Sequence, residues 1–221
     1  MTTTRTDTAH KAWDDRWKTE AGRNDWIVPE GAVIDCAKDV LSRRLTRALD
    51  LGCGVGRHAL ALAEMGFEVT AADASESGLT VVAREAHARK LSVKTTHTAM
   101  TALPFADAAF DYVLAFNVIY HGDEAVVRQA LAEIARVLAT RGTFQATMMS
   151  KRNAHFGRGV EIAANTFVQD GDDVDKHHPH FFCNAAELVA LLGDFEVLSL
   201  ADRLHGAPDS WHWHVIAERS G

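Results

Sequence analysis

Residues 47–57, RALDLGCGVGR, constrain the fold of this chain more than any other stretch. The apolar residues around Asp50 predict a short buried strand. Gly52, Gly54 and Gly56 then predict a tight turn, after which helical spacing resumes. Glycines allow the backbone to approach a ligand closely, and the free N–H groups at the start of the following helix face that ligand. The sequence therefore predicts a nucleotide-binding turn between a strand and a helix.

The spacing of these glycines distinguishes between kinds of nucleotide site. A dinucleotide fingerprint reads Gly-x-Gly-x-x-Gly, and its third glycine would stand where this chain has Arg57. Here the pattern is Gly-x-Gly-x-Gly, with Asp50 two residues before the first glycine. The segment from Asp50 to Gly56 resembles motif I of the class I S-adenosylmethionine-dependent methyltransferases. A generic strand-to-helix turn is the alternative interpretation of the glycines alone.

The order of the predicted elements agrees with that resemblance. Strands and helices alternate as strand 47–51, helix 57–65, strand 68–72, helix 75–90, strand 93–98, strand 110–116, helix 124–138 and strand 143–149. Such alternation is typical of an α/β fold with a parallel, doubly wound sheet. The resemblance implies a Rossmann-like methyltransferase sheet of seven strands. Its last strand is expected to be antiparallel and to insert beside the fifth.

We predict one methyltransferase domain over residues 1–221 with four parts. These are an N-terminal helical lid at 10–45, a cofactor-binding core at 46–149, a substrate lid loop at 150–183, and a helix with a C-terminal hairpin at 184–221. The WDDRW segment at 13–17 resembles the N-terminal helix of small-molecule thiol and tellurite-type methyltransferases, where such residues help to cover the methyl donor. Core packing is the alternative explanation of its tryptophans. The 150–183 stretch lacks periodicity, and long loops in compact domains are commonly functional.

Residues at the carboxyl ends of the strands are the candidates for cofactor binding. A carboxylate at Asp73 can accept two hydrogen bonds from a ribose diol, although it could equally cap the next helix. The resembled family often places an Asp where this chain has Ala99, so Met100 and Thr101 are expected to contact the adenine instead. The complete predicted cofactor-binding set is Trp17, Asp50, Gly52, Cys53, Gly54, Gly56, Arg57, Asp73, Ala74, Met100, Thr101, Phe116 and Asn117.

The chain contains 12 histidines, a high number for 221 residues, and several of them fall near the same edge of the predicted sheet. Imidazoles there could bind an anionic substrate or act as a general base, and structural hydrogen bonding is the alternative. A metal site is a further possibility, but the spacing matches no known ligand pattern and methyl transfer to a soft nucleophile needs no metal. We therefore predict no metal. The candidate catalytic residues are His121, His180, His212 and His214.

Composition limits the partners. The net charge of −7 and the absence of a dense Lys/Arg run argue against nucleic acid and anionic membranes. The apolar runs are too short for a membrane span, and the N-terminus has no apolar leader segment. The three cysteines are widely spaced, which fits a reducing cytoplasm. We expect a cytoplasmic monomer or homodimer that acts on a small molecule.

The activity that the resemblance implies is methyl transfer from S-adenosylmethionine to a small-molecule acceptor by in-line displacement, which leaves S-adenosylhomocysteine. Holding the reactants in line can contribute about 7–11 kcal/mol. Two alternatives stay open: a non-catalytic module that binds S-adenosylmethionine or S-adenosylhomocysteine, and a histidine-rich, metal-assisted methyltransferase. A nicotinamide oxidoreductase is disfavoured because position 57 is not glycine.

Overall fold

A ten-stranded sheet organises the part of the chain that the computed structural model describes, residues 6–170 and 174–221. The strands are β1 (Arg47–Leu51), β2 (Glu68–Asp73), β3 (Val93–His97), β4 (Phe110–Ala115), β5 (Leu138–Ser150), β6 (Val160–Ala163), β7 (Thr166–Val168), β8 (His180–Cys183), β9 (Phe195–Leu204) and β10 (Trp211–Arg219). The helices are α1 (Ala9–Trp17), α2 (Glu20–Arg23), α3 (Gly31–Ser42), α4 (Arg57–Met65), α5 (Glu76–Arg89), α6 (Glu124–Val137) and α7 (Ala185–Leu191). Short 3-10 turns lie at Asn24–Trp26 and Val174–His177.

The central strands are parallel in the order β3-β2-β1-β4-β5. β10 runs antiparallel beside β5, with His212 opposite Met149, and β9 pairs with the outer side of β10. These seven strands form the predicted doubly wound sheet, including its antiparallel last strand. The predicted fold class is therefore confirmed. It brings the carboxyl ends of β1, β2 and β4 to one edge, where the site lies.

Three further strands lie in the stretch that we predicted to be a loop. β6 and β7 form a hairpin around Asn165, which has a φ of 58°, and β7 pairs with β8. Phe156, Phe167 and Phe182 pack together, so this segment has a small aromatic core of its own. Strands of three or four residues are too short to show a periodicity in the sequence. Residues 171–173 of the predicted loop lie outside the described residues.

Two apolar clusters cover the two faces of the sheet. Along β4, Tyr112 and Leu114 join the cluster that contains side chains of α3, α4 and α5, whereas Val113 and Ala115 join the cluster formed with α6 and α7. Every residue of β4 is buried, as expected for a parallel strand covered on both sides.

The predicted N-terminal lid divides into two parts. α3 buries Val33, Ala37 and Val40 in the first of these clusters, so it belongs to the core. Residues 9–26 contribute instead to the wall of the pocket at the sheet edge. An amphipathic helix has the same apolar stripe whether it covers a sheet or a ligand, and the sequence could not separate the two.

Candidate functional site

The glycine turn between β1 and α4 has a backbone that only glycine fits well. Gly52, Gly54 and Gly56 have φ values of 66°, 53° and 87°, all in the left-handed region. A Cβ at Gly52 would lie 2.3 Å from the Val118 side chain, and one at Gly56 would lie 2.7 Å from that of Val82. Side chains are therefore excluded at both positions, and the backbone itself forms this wall of the site.

Asp73 lies at the end of β2 and faces the same turn. Its Oδ2 accepts a hydrogen bond from the Gly54 N–H at 2.7 Å, and its Oδ1 accepts one from the Ser75 N–H at 2.8 Å. Burial raises the pKa of this carboxyl, and these backbone hydrogen bonds oppose the rise. Each oxygen has a second lone pair for another donor. The helix cap of α5 is Ser75, whose side chain accepts from the Gly78 N–H, so Asp73 does not serve as that cap.

Asp50, a predicted cofactor-binding residue, is buried in β1 and does not line the pocket. Its Oδ2 is buried and has no hydrogen-bond partner. Burial raises the pKa of Asp50 to about 7, an effect that the Ala59 N–H and Arg57 oppose and the charge of Asp73 reinforces. At neutral pH this carboxyl is therefore partly protonated.

A pocket opens between the glycine turn and the N-terminal segment. The predicted residues that line it are Trp17, Gly52, Cys53, Gly54, Arg57, Asp73, Ala74, Met100, Phe116, Asn117 and His121. Gly56 and Thr101 do not line it, and neither do His180, His212 and His214. Several lining residues are absent from the predicted cofactor-binding set, among them His10, Trp13, Trp26, His58, Thr98 and Val118. Of these, Trp13 carried a usable signal because it lies one turn before Trp17.

Three tryptophans form the outer wall of the pocket. Trp13 stacks on Trp17 with ring centroids 5.0 Å apart, and Trp26 meets both rings edge-on. The Trp17 ring would lie 3.2 Å from a Cβ at Gly54, so it sits directly on the glycine turn. The Arg57 guanidinium lies 5.1 Å from the Trp26 ring. The result is an aromatic wall facing the turn.

Asp14 anchors this wall to the start of α5. One carboxylate oxygen accepts from the Ser75 hydroxyl at 2.8 Å and from the Ser77 N–H at 2.9 Å. Burial acts to raise the pKa of Asp14, but hydrogen bonds from Ser77, Ser75 and Lys18 outweigh it and lower the pKa to about 2. A carboxylate is favoured at this position because the first turn of a helix carries partial positive charge.

His121, His178 and His180, which we call the histidine triad, meet where the pocket approaches β8. His121 follows β4 and lines the pocket, and its Nδ1 lies 3.0 Å from Nε2 of His178. His180 donates from Nδ1 to the His178 carbonyl at 2.8 Å. All three side chains are buried. His121 and His180 are two of the predicted catalytic residues, and the His178 ring contacts both of them.

His205, His212 and His214, the hairpin histidines, form a second group: His205 follows the end of β9, and His212 and His214 lie on β10. His205 lies 4.8 Å from His212 and 5.5 Å from His214 between ring centroids. Tyr120 separates the two groups, 5.8 Å from His212 and 6.0 Å from His180. His205, which no sequence pattern pointed to, contacts the Asn117 amide at 3.0 Å.

Burial keeps the hairpin histidines uncharged. It lowers the pKa of His212 to about 3, and it also lowers those of His205 and His214. Nearby histidine and arginine charges act in the same direction. At neutral pH these imidazoles are neutral hydrogen-bonding groups and weak bases.

Comparison with known proteins gives this geometry a family context. Residues 48–142, which run from β1 into β5, match the family model for a methyltransferase domain. A crystal structure of Burkholderia thailandensis 1,6-didemethyltoxoflavin-N1-methyltransferase, with bound 1,6-didemethyltoxoflavin and S-adenosylhomocysteine, aligns with a TM-score of 0.70 at 18% identity, covering 96% of this chain and 87% of that one. The fold is that of a class I methyltransferase. The resemblance inferred from the glycine motif is confirmed.

Two further comparisons, one of structure and one of sequence, also find methyltransferase-like proteins or named methyltransferases. TehB from Haemophilus influenzae aligns with a TM-score of 0.66 at 18% identity, covering 96% of this chain and 67% of that one. Demethylmenaquinone methyltransferase from Thermus thermophilus is 41% identical over 105 residues, which are 46% of each protein. The chain spans about half the length of the curated relatives it matches. Within the described residues, no helix combines the length and apolarity needed to cross a bilayer.

Proposed function

We propose that this protein transfers a methyl group from S-adenosylmethionine to a small-molecule acceptor by in-line displacement and releases S-adenosylhomocysteine. The observation that carries the proposal is one pocket with the Gly52–Gly56 turn and the Asp73 carboxylate on one side and three tryptophans on the other. The methyltransferase-domain match and the S-adenosylhomocysteine in the similarly folded Burkholderia enzyme support it.

The residues of the pocket fit this cofactor. Asp73 offers acceptor lone pairs for two ribose hydroxyls, and the glycines of the turn place no Cβ between their backbone and the ligand. Thr98, Ala99 and Met100 provide a wall where an adenine could lie, which suits the expected role of Met100. S-adenosylmethionine supplies a methyl group that its positive sulfur has already activated.

The protein's own contribution is then to position the reactants and exclude water. Trp13, Trp17 and Trp26 cover the pocket, and aromatic faces favour a cationic group. Asn117 and His121 lie on the same pocket wall, and we assign the acceptor to their end of it. Of the four candidate catalytic histidines, His121 lines the pocket and is the one proposed to contact the acceptor, whereas His180, His212 and His214 lie outside its lining.

The electrostatics favour an acceptor that is nucleophilic without strong base catalysis. The hairpin histidines are weak bases because burial lowers their pKa values. A thiolate or a chalcogen oxyanion needs little help from a base, whereas a hydroxyl or amine needs more. We therefore propose a thiol-like or oxyanion acceptor. We also propose cytoplasmic location, since Cys36, Cys53 and Cys183 are free, buried thiols.

The test is methyl transfer from labelled S-adenosylmethionine to a panel of small thiols, tellurite and small phenols. We expect label on at least one thiol or on tellurite, at a rate that Asp73→Ala lowers at least about tenfold. Asp35→Ala is the matched control, because Asp35 is exposed and pairs with Lys38, away from the pocket lining. Tight cofactor binding with no transfer across the panel would instead favour the non-catalytic binding module.

A further inference from the structure

We propose that His121, His178 and His180 form a binding site for one divalent transition-metal ion beside the cofactor pocket. The expectation of no metal rested on spacing along the chain, where His121 and His178 are 57 residues apart. In the structure, one ring nitrogen from each of the three histidines lies within 4.8 Å of the others. All three rings are buried in the described part of the chain.

The spacing of the His121 and His178 nitrogens is close to that of metal ligands, and the His180 nitrogen lies within 4.8 Å of both. Two nitrogens that lie about 2.0–2.1 Å from one tetrahedral ion are about 3.3 Å apart. His121 Nδ1 and His178 Nε2 are 3.0 Å apart and face each other. An ion between them requires these rings to separate by a few tenths of an ångström, and it replaces the hydrogen bond that now joins them.

The opposite nitrogens of two rings are held by backbone carbonyls. His121 Nε2 donates to the Asn117 carbonyl at 3.1 Å, which leaves the lone pair of a neutral ring on Nδ1. His180 Nδ1 donates to the His178 carbonyl at 2.8 Å, which leaves its lone pair on Nε2. Metal-binding histidines typically donate their second ring N–H to such a carbonyl. His178 needs its proton on Nδ1 to offer Nε2, a tautomer change without change of charge.

Three buried imidazoles select borderline transition ions such as Zn²⁺ and Co²⁺ over Mg²⁺ or Ca²⁺. Three protein ligands also leave a position for an exogenous ligand, as in catalytic zinc sites. Because His121 lines the pocket, an ion here would adjoin the acceptor. This role rests on the proposed function: the ion holds the acceptor through an anionic sulfur or oxygen.

The site also joins two parts of the fold. His121 follows β4 of the central sheet, whereas His178 and His180 lie at the start of β8 in the added β6–β8 segment. The Phe181 N–H donates to the Tyr120 carbonyl at 2.9 Å, so the two segments already have a fixed register. A bound ion would stabilise their contact, and it would raise the melting temperature.

The experiment is titration of tag-free, chelator-treated protein with Zn²⁺ by calorimetry and with Co²⁺ by visible absorption. We expect one ion per chain, a tetrahedral Co²⁺ spectrum and a higher melting temperature. His178→Ala and His180→Ala should each weaken affinity at least about 100-fold, because each removes one of three ligands. His155→Ala is the matched control, since His155 shortly precedes β6 and contacts Gln169 instead.

Binding of S-adenosylhomocysteine serves as the independent readout of folding for each variant, since His178 and His180 do not line the pocket. Variants that keep this binding but lose the metal support the site. Wild-type protein that binds neither ion, or binding that is unchanged in both triad variants, overturns it. Metal binding without S-adenosylhomocysteine binding would instead count against the proposed function and leave the metal site standing.

Discussion

Replacing Asp14 by alanine tests whether α1 closes the cofactor pocket. The Asp14 carboxylate makes two hydrogen bonds to α5, from the Ser75 hydroxyl at 2.8 Å and the Ser77 N–H at 2.9 Å. Its side chain is 27% exposed, so water competes for these bonds. At about 0.5–1.5 kcal/mol each, the two bonds together contribute about 1–3 kcal/mol to the docking of α1.

Trp17 still contacts the glycine turn in this variant. Only part of the lost docking free energy is therefore expected to lower the affinity for the ligand. We expect Asp14→Ala to weaken S-adenosylhomocysteine binding by about fivefold to thirtyfold, which corresponds to about 1–2 kcal/mol. Calorimetry measures the affinity. Asp15→Ala is the matched control, because Asp15 is 79% exposed and pairs with Lys18. Affinities of the two variants within about twofold of each other would refute the role of the Asp14 anchor.

The contribution of Asp14 to the docking of α1 depends on pH in a defined way. Its folded-state pKa of about 2 lies below the ordinary value of 3.8. The contribution of Asp14 is therefore complete above about pH 4 and is lost as the pH falls towards about 2. The affinity difference between wild type and Asp14→Ala should stay constant from about pH 5 to pH 8. A difference that changes across this range would show that another group controls docking.

Three further substitutions test the site and its surroundings. Asp73→Ala should weaken S-adenosylhomocysteine binding at least about tenfold by calorimetry, and unchanged affinity would remove Asp73 from the ribose site. Gly78→Ala should lower both the melting temperature and the affinity, because its Cβ would lie 2.6 Å from the Gly54 carbonyl; Gly31→Ala, with open space around its Cβ, should do neither. Burial raises the pKa of Asp50 to about 7, so the wild-type free energy of unfolding falls as the pH rises between about 4 and 7 and the buried carboxyl loses its proton. Asp50→Asn cannot ionise, and it should therefore raise the melting temperature more at about pH 8 than at about pH 4. An equal effect at both pH values would contradict that assignment.

The parts of the fold that the sequence predicted are those with local signals. The β1 turn is encoded in consecutive residues, and the strands and helices of the central sheet have enough length to show their periodicity. The antiparallel β10 was expected from the resemblance and is confirmed by its pairing with β5. β6, β7 and β8 were not predicted, because their pairing depends on a turn at Asn165 and on aromatic contacts between distant residues.

The sequence could predict the site residues whose position depends only on the end of one strand. Asp73 ends β2, Met100 and Asn117 come shortly after β3 and β4, and all three line the pocket. The relation of the histidines to one another depends on tertiary packing, so His121 with His178 could not be paired from the sequence. Burial also shifts the pKa values of Asp50 and His212 in opposite directions, and the sequence contains no direct measure of burial.

The most direct test of the proposed function is a calorimetric titration of the purified protein with S-adenosylmethionine and S-adenosylhomocysteine, with NAD as the control. The glycine turn, the Asp73 carboxylate and the tryptophan wall predict micromolar binding of the first two ligands and no binding of NAD. Absence of binding for both S-adenosyl ligands would contradict the proposed function, and the histidine triad would then be the starting point for another.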